Sequence, residues 1–131
     1  MAAEAAFVPT AYGLGALALL GEGVVHVQQY IELFHGVSWI GPLFLVNAAA
    51  CLVTIAGIAY PRTRALAALA GVVISAAALL SLIISYGTGL FGWQEVGFRA
   101  PIVLAASFEV GAVVLLSAAL AARAALVQPR I

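Results

Sequence analysis

Lysine and aspartate are both absent from the 131 residues, and charged side chains of every kind make up only 8%. A soluble domain carries roughly 25%, so this chain could not cover a water-facing surface. Its solvent is lipid. The five Arg and five Glu cancel to a net charge of zero, which removes the basic footprint that a nucleic-acid partner requires. A single cysteine, Cys51, sits inside an apolar run, leaving no disulfide and no paired-thiol redox motif within one chain. Also missing are a Gly-rich phosphate cradle, an HExxH zinc motif and a Ser–His–Asp set. Almost no chain remains outside the apolar runs in which to build a water-filled catalytic cleft, so an enzyme is the weaker expectation.

Hydrophobic residues make up 66% of the chain, and the mean hydropathy is +1.20. A helix crossing the bilayer needs about 20 apolar residues. Four runs meet that length, and they predict helices over about 7–34, 39–60, 65–85 and 101–126. Pro61 stops the second, and Pro101 suits the first turn of the fourth, where its missing N–H costs nothing. The expectation is an all-α, four-helix transmembrane bundle, with residues 1–131 forming one domain. The first run is a poor signal peptide, having no basic segment ahead of it and too long an apolar stretch.

Arginine position predicts the orientation. Arg62 and Arg64 lie between the second and third spans, Arg123 and Arg130 follow the fourth, and Arg99 stands alone on the other side. Positive residues favour the cytoplasmic face, so both termini are expected there, in a multi-pass protein of the plasma membrane. Tyr30, Trp39, Phe91, Trp93 and Phe98 then gather at the outer face as an aromatic belt. Tyr12 and Tyr60 are expected at the inner boundary. Small residues four apart (Ala11 and Gly15, Ala67, Gly71 and Ser75, Ser107 and Gly111) allow close helix approach in lipid. They serve either packing within one chain or the seam of a homodimer.

The stretch "GEGVVHVQQYIELFHG", residues 21–36, breaks the apolar pattern with two Glu, two His and two Gln. Glu22 and His26 are four apart and share a helix face, which Gln29 and Tyr30 continue. His26 and His35 are nine apart, on opposite sides of the helix, so one helix cannot offer both to one ion. A bis-histidine haem is thereby excluded within one chain and requires a dimer sharing His26. His35, beside Gly36, reads as a C-terminal cap, and Cys51 as a packing residue. Trp93, Glu95 and Arg99 can pair or contact a partner, but a solvated loop is the main expectation for them. Depth along the helices brings Glu109 and Asn47 to the level of Glu22 or His26. The expected buried polar cluster is therefore Glu22, His26, Gln29, Tyr30, Asn47 and Glu109.

Ionisable groups at that depth cost around 2.5 to 3.5 kcal/mol each unless paired or hydrated. Four readings fit: a hydrogen-bonded clasp between helices, proton or cation handling, a metal ion held by Glu22, His26 and Glu109, or a quinone or other cofactor pocket. Carboxylate and imidazole four apart on a helix can share an ion.

"HVQQYIE", "GPLFLVNAAA", "SYGTGLFGWQE" and the lone Glu109 of "SFEVG" occur in the order found in a group of small four-span membrane proteins common in actinobacteria, which the chain resembles over nearly its whole length. Tyr86 and Phe91 depart from that pattern, at places where an Arg and a Pro are expected. The resemblance implies the four-span fold and a pairing of the first and fourth helices; it carries no established activity. A looser similarity, through Glu22, is to the small multidrug-resistance exporters. Two functions are therefore expected. One is a non-enzymatic accessory or assembly subunit of a larger membrane complex. The other is a proton-coupled or cation-handling transporter using Glu22 and Glu109.

Overall fold

The computed structural model describes residues 2–128, and Arg130, one of the expected orientation signals, lies outside them. The described chain is all helical: α1 (Ala2–Gln29) with a π-helical turn at Tyr30–Phe34, α2 (Ile40–Ala59), α3 (Arg64–Gly87) and α4 (Ala100–Val127). Each helix is long and apolar enough to cross a membrane. The shortest, α2, has 20 residues, or about 30 Å, the thickness of the hydrocarbon core. The span containing α1 has the lowest mean hydropathy, 1.4 against 2.0 to 2.5 for the others, because it carries the polar stretch.

Chain stops are local and chemical. After α2 the chain turns at Tyr60–Thr63, where Thr63 Oγ1 donates to the Gly57 carbonyl at 2.8 Å. Arg64 Nε donates to the Ile58 carbonyl at 2.8 Å, placing a cation on the negative end of α2. Arg64 therefore has a structural task beyond marking topology. Its guanidinium also lies 5.9 Å from the ring centre of Tyr12. Tyr12 itself is buried in the bundle, whereas Tyr60 is exposed.

The helices follow one another round the bundle, α1 packing on α2 and α4, and α3 on the same two. Lipid tails are as apolar as leucine, so close packing and polar ties must hold the helices together. Leu116 of α4 is the central knob, fully buried against Gly15 of α1 and Gly71 of α3. A side chain on either glycine would collide with it. These glycines serve contacts within one chain.

The corner between α1 and α2 shapes the end of the bundle opposite the described start of α1 and the described end of α4. Val37 N–H bonds the Phe34 carbonyl at 3.0 Å, and Gly41 N–H bonds the Val37 carbonyl at 2.9 Å. His35 stands at the C-cap, with its side chain exposed. A Cβ on Gly41 would strike the Phe34 carbonyl, which is backbone and cannot rotate away. Gly41→Ala is therefore expected to cost about 1–3 kcal/mol in thermal or detergent-induced unfolding. An unchanged midpoint would show that this corner is not tight.

Candidate functional site

Glu22 is the best-satisfied polar group in the bundle. It is fully buried, and both carboxylate oxygens accept hydrogen bonds from other helices. Asn47 Nδ2 on α2 donates to Oε1 at 3.0 Å, and Ser75 Oγ on α3 donates to Oε2 at 2.5 Å. Cys51 Sγ approaches Asn47 Oδ1 at 3.5 Å, so the cysteine packs and also steadies the amide. Glu22 thus ties α1, α2 and α3.

One turn on, His26 is held from two sides. Its Nδ1 lies 2.9 Å from the Glu22 backbone carbonyl, and its ring packs on Phe44 with centroids 4.8 Å apart. A carbonyl oxygen can only accept, so Nδ1 carries the proton of that bond. The other ring nitrogen, Nε2, faces Oε1 of Glu109 on α4 at 3.9 Å. Glu109 is 3% exposed, and its Oε2 has no hydrogen-bond partner among the described residues. One ligand atom from each of Glu22, His26 and Glu109 falls within 4.8 Å of the others.

A cavity of about 320 Å³ adjoins His26 and Glu109 at the α1–α2 corner end of the bundle. Its walls are mainly apolar, with Asn47, Ser81 and Ser85 adding polar groups. Val46 of α2 and Ala77 of α3 both line the cavity and stand exposed on the bundle surface, so the cavity opens sideways between those helices. Small residues on one face of α3 (Ala77, Ala78 and Ser81) make this width available.

The connection from α3 to α4 roofs the cavity with Leu90, Trp93, Glu95 and Arg99, while Phe91, Val96 and Phe98 stay exposed. Of the two readings of this loop, pairing among Trp93, Glu95 and Arg99 is the one observed, not the solvated loop that is the main expectation from sequence. Arg99 Nη1 donates to Gln29 Oε1 at 2.8 Å, and Nη2 to Glu95 Oε2 at 3.2 Å. Trp93 Nε1 donates to the same Glu95 oxygen at 3.3 Å. The Glu95 N–H bonds the Ser85 carbonyl at 2.9 Å, and Gln94 Nε2 the Tyr86 carbonyl at 2.9 Å. A two-residue turn at Phe91 and Gly92, both at positive φ (46° and 80°), lets the loop fold back. Left-handed geometry at both central positions is what a tight reversal of this kind needs. Removing the strap with Arg99→Ala is expected to speed amide exchange at residues 88–98 about tenfold or more, by lowering the cost of local opening. Unchanged exchange rates would show that the roof holds without Arg99.

Of the residues singled out in the sequence, Glu22, His26, Asn47 and Glu109 come together directly. Gln29 belongs to the roof, through Arg99. Tyr30 lies off the group, half-buried with its ring near Gly41. Eight residues beyond Glu22, a helix turning 100° per residue has drifted about 80° round its axis, which carries Tyr30 away. His26 is 7% exposed and points inward, so the bundle's outer face offers no histidine there for a haem shared across a seam. Ser75 was legible only as a small packing residue, and its tie to Glu22 spans 53 positions. For the roof there was a signal: Glu95 and Arg99 are four apart, and carry opposite charge. The chain matches no family model, no curated protein and no solved structure.

Proposed function

We propose that this is a multi-pass plasma-membrane protein that binds a cation at Glu109, in the outer half of the bundle, with both termini cytoplasmic. Support for the orientation comes from Arg62, Arg64 and Arg123 at one end of the bundle and Arg99 alone at the other. The observation that carries the cation reading is the second carboxyl oxygen of Glu109, buried beside the cavity and without a hydrogen-bond partner among the described residues. Intramembrane carboxylates are costly, and an unpartnered one is a group with a task.

An accessory subunit needs only a clasp, and that clasp is complete without Glu109. Glu22, Asn47 and Ser75 satisfy one another. Glu109 places a second carboxyl group near Glu22 and His26, and the guanidinium of the roof, Arg99, is already engaged by Gln29 and Glu95. A cation relieves that arrangement. Glu22 is then the fixed anion of the site and Glu109 the mobile one.

Infrared difference spectroscopy on the protein in lipid bilayers tests this reading. Sodium, Co²⁺, Zn²⁺ and tetraphenylphosphonium are added in turn while the carboxyl bands are followed. At least one is expected to shift a carboxyl band that is missing from Glu109→Gln. If none of the four moves any carboxyl band, the cation reading is lost.

A further inference from the structure

The geometry points to a divalent first-row transition metal as the cation, held by Glu22, His26 and Glu109 with an open coordination position toward the lateral cavity. This rests on the cation-binding reading above and names its ligand.

His26 supplies the first argument. Its Nδ1 is committed as a donor to the Glu22 carbonyl, so in the neutral ring Nε2 presents a lone pair. That lone pair faces Glu109 Oε1 across 3.9 Å. The gap is too long for a hydrogen bond, so neither group satisfies the other directly, and an ion placed between them can meet both. Ligating histidines commonly have this arrangement, with one ring nitrogen anchored on a carbonyl and the other turned to the ion.

Distances and charge agree. Ligand atoms tetrahedrally placed around an ion with bonds of about 2.0–2.2 Å stand about 3.3–3.6 Å apart. The three atoms here lie within 4.8 Å of one another, so a modest swing closes the site. Glu109 can make that swing, because its Oε2 has no hydrogen-bond partner among the described residues, whereas Glu22 is pinned by Asn47 and Ser75. The pinning bonds hold one ligand carboxylate in place, as the supporting bonds of established metal sites do. Two carboxylates and a dication sum to zero, which suits a low-dielectric interior. One nitrogen with two oxygens selects Mn²⁺, Fe²⁺, Co²⁺ or Zn²⁺ over Mg²⁺ and Ca²⁺, which prefer oxygen alone.

Three protein ligands leave a position unfilled, and Glu109 and His26 both line the cavity, so that position faces it. The roof covers the outer end and the cavity opens between α2 and α3. A further ligand therefore comes either from trapped water or from a molecule arriving through the bilayer.

The test is Co²⁺ titration of chelator-treated full-length protein in lipid nanodiscs, read by the visible d–d bands. Wild-type protein is expected to bind one Co²⁺ with the spectrum of a four- or five-coordinate ion, displaced by Zn²⁺ and not by Mg²⁺. Glu109→Gln and His26→Gln are expected to weaken binding about a hundredfold, and Ser75→Ala about tenfold, through loss of its hold on Glu22. Glu109→Asp keeps the charge and is expected to bind with an altered spectrum, which separates lost ligation from lost folding. No Co²⁺ spectrum in the wild type, with tetraphenylphosphonium or sodium still shifting the Glu109 band, overturns the metal and leaves the cation reading standing. Neither response overturns both.

Discussion

Glu22→Ala is expected to destabilise the bundle by about 2–4 kcal/mol, the largest loss of any single polar substitution in this chain. The substitution strands the Asn47 amide and the Ser75 hydroxyl, two donors that point at Glu22 from different helices. A buried donor left without a partner costs about 1–3 kcal/mol, and the truncated side chain leaves a void at a fully buried position. Some of this is recovered, because a helical serine can turn to the carbonyl four residues earlier. Glu22→Gln separates geometry from charge. Its amide oxygen still accepts from Asn47, and the Ser75 hydroxyl can reverse to accept from the amide nitrogen. The Gln variant is thus expected to stay within about 1.5 kcal/mol of wild type, in the range of single polar ties between membrane helices. Reversible unfolding in mixed detergent micelles measures all three proteins. An Ala variant as stable as wild type would remove Glu22 from its place as the tie of three helices.

Glu109→Gln is expected to do the opposite: stability within about 1 kcal/mol of wild type, and cation binding weaker by about a hundredfold. Little stability is at stake because Glu109 Oε2 has no partner to lose, and Oε1 stands 3.9 Å from His26, beyond hydrogen-bond reach. A Gln amide can even donate to the Nε2 lone pair, improving on the native pair. Binding suffers because an amide brings no charge and is a poor ligand for a dication. Parallel unfolding and Co²⁺ titrations on one preparation give both numbers. If Glu109→Gln instead unfolds as readily as Glu22→Ala, the two glutamates share one structural role. The division of labour between clasp and binding group would then be abandoned.

Much of the fold was legible because its causes are local. The spans expected at about 7–34, 39–60, 65–85 and 101–126 lie close to those observed, Ala2–Gln29 with its π turn to Phe34, Ile40–Ala59, Arg64–Gly87 and Ala100–Val127. The main difference is that α1 starts earlier than Phe7, among alanines that favour helix without needing lipid. Helical spacing also paired Glu22 with His26, a relation contained within one turn.

What sequence could not supply is rotation. Helical periodicity says which residues share a face, but not which neighbour that face meets, nor which carboxylate oxygen finds a donor. The Ser75–Glu22 tie crosses 53 positions and the Arg99–Gln29 strap crosses 70. No local pattern encodes either.

The sequence by itself determined the apolar character, the number of helices long enough to cross a membrane, the places where they end and the short list of polar residues that interrupt them. Desolvation cost and bilayer thickness act on each segment separately, so a single strand of text carries them. Only the tertiary structure decided the roles within that list. It surrounded Glu22 with two donors and left Glu109 with an open oxygen, and it turned the α3–α4 loop into a roof. Those outcomes depend on how four helices settle against one another, where close packing round Leu116 sets each rotation and hydrogen bonds at 2.5–3.0 Å hold Glu22 in place.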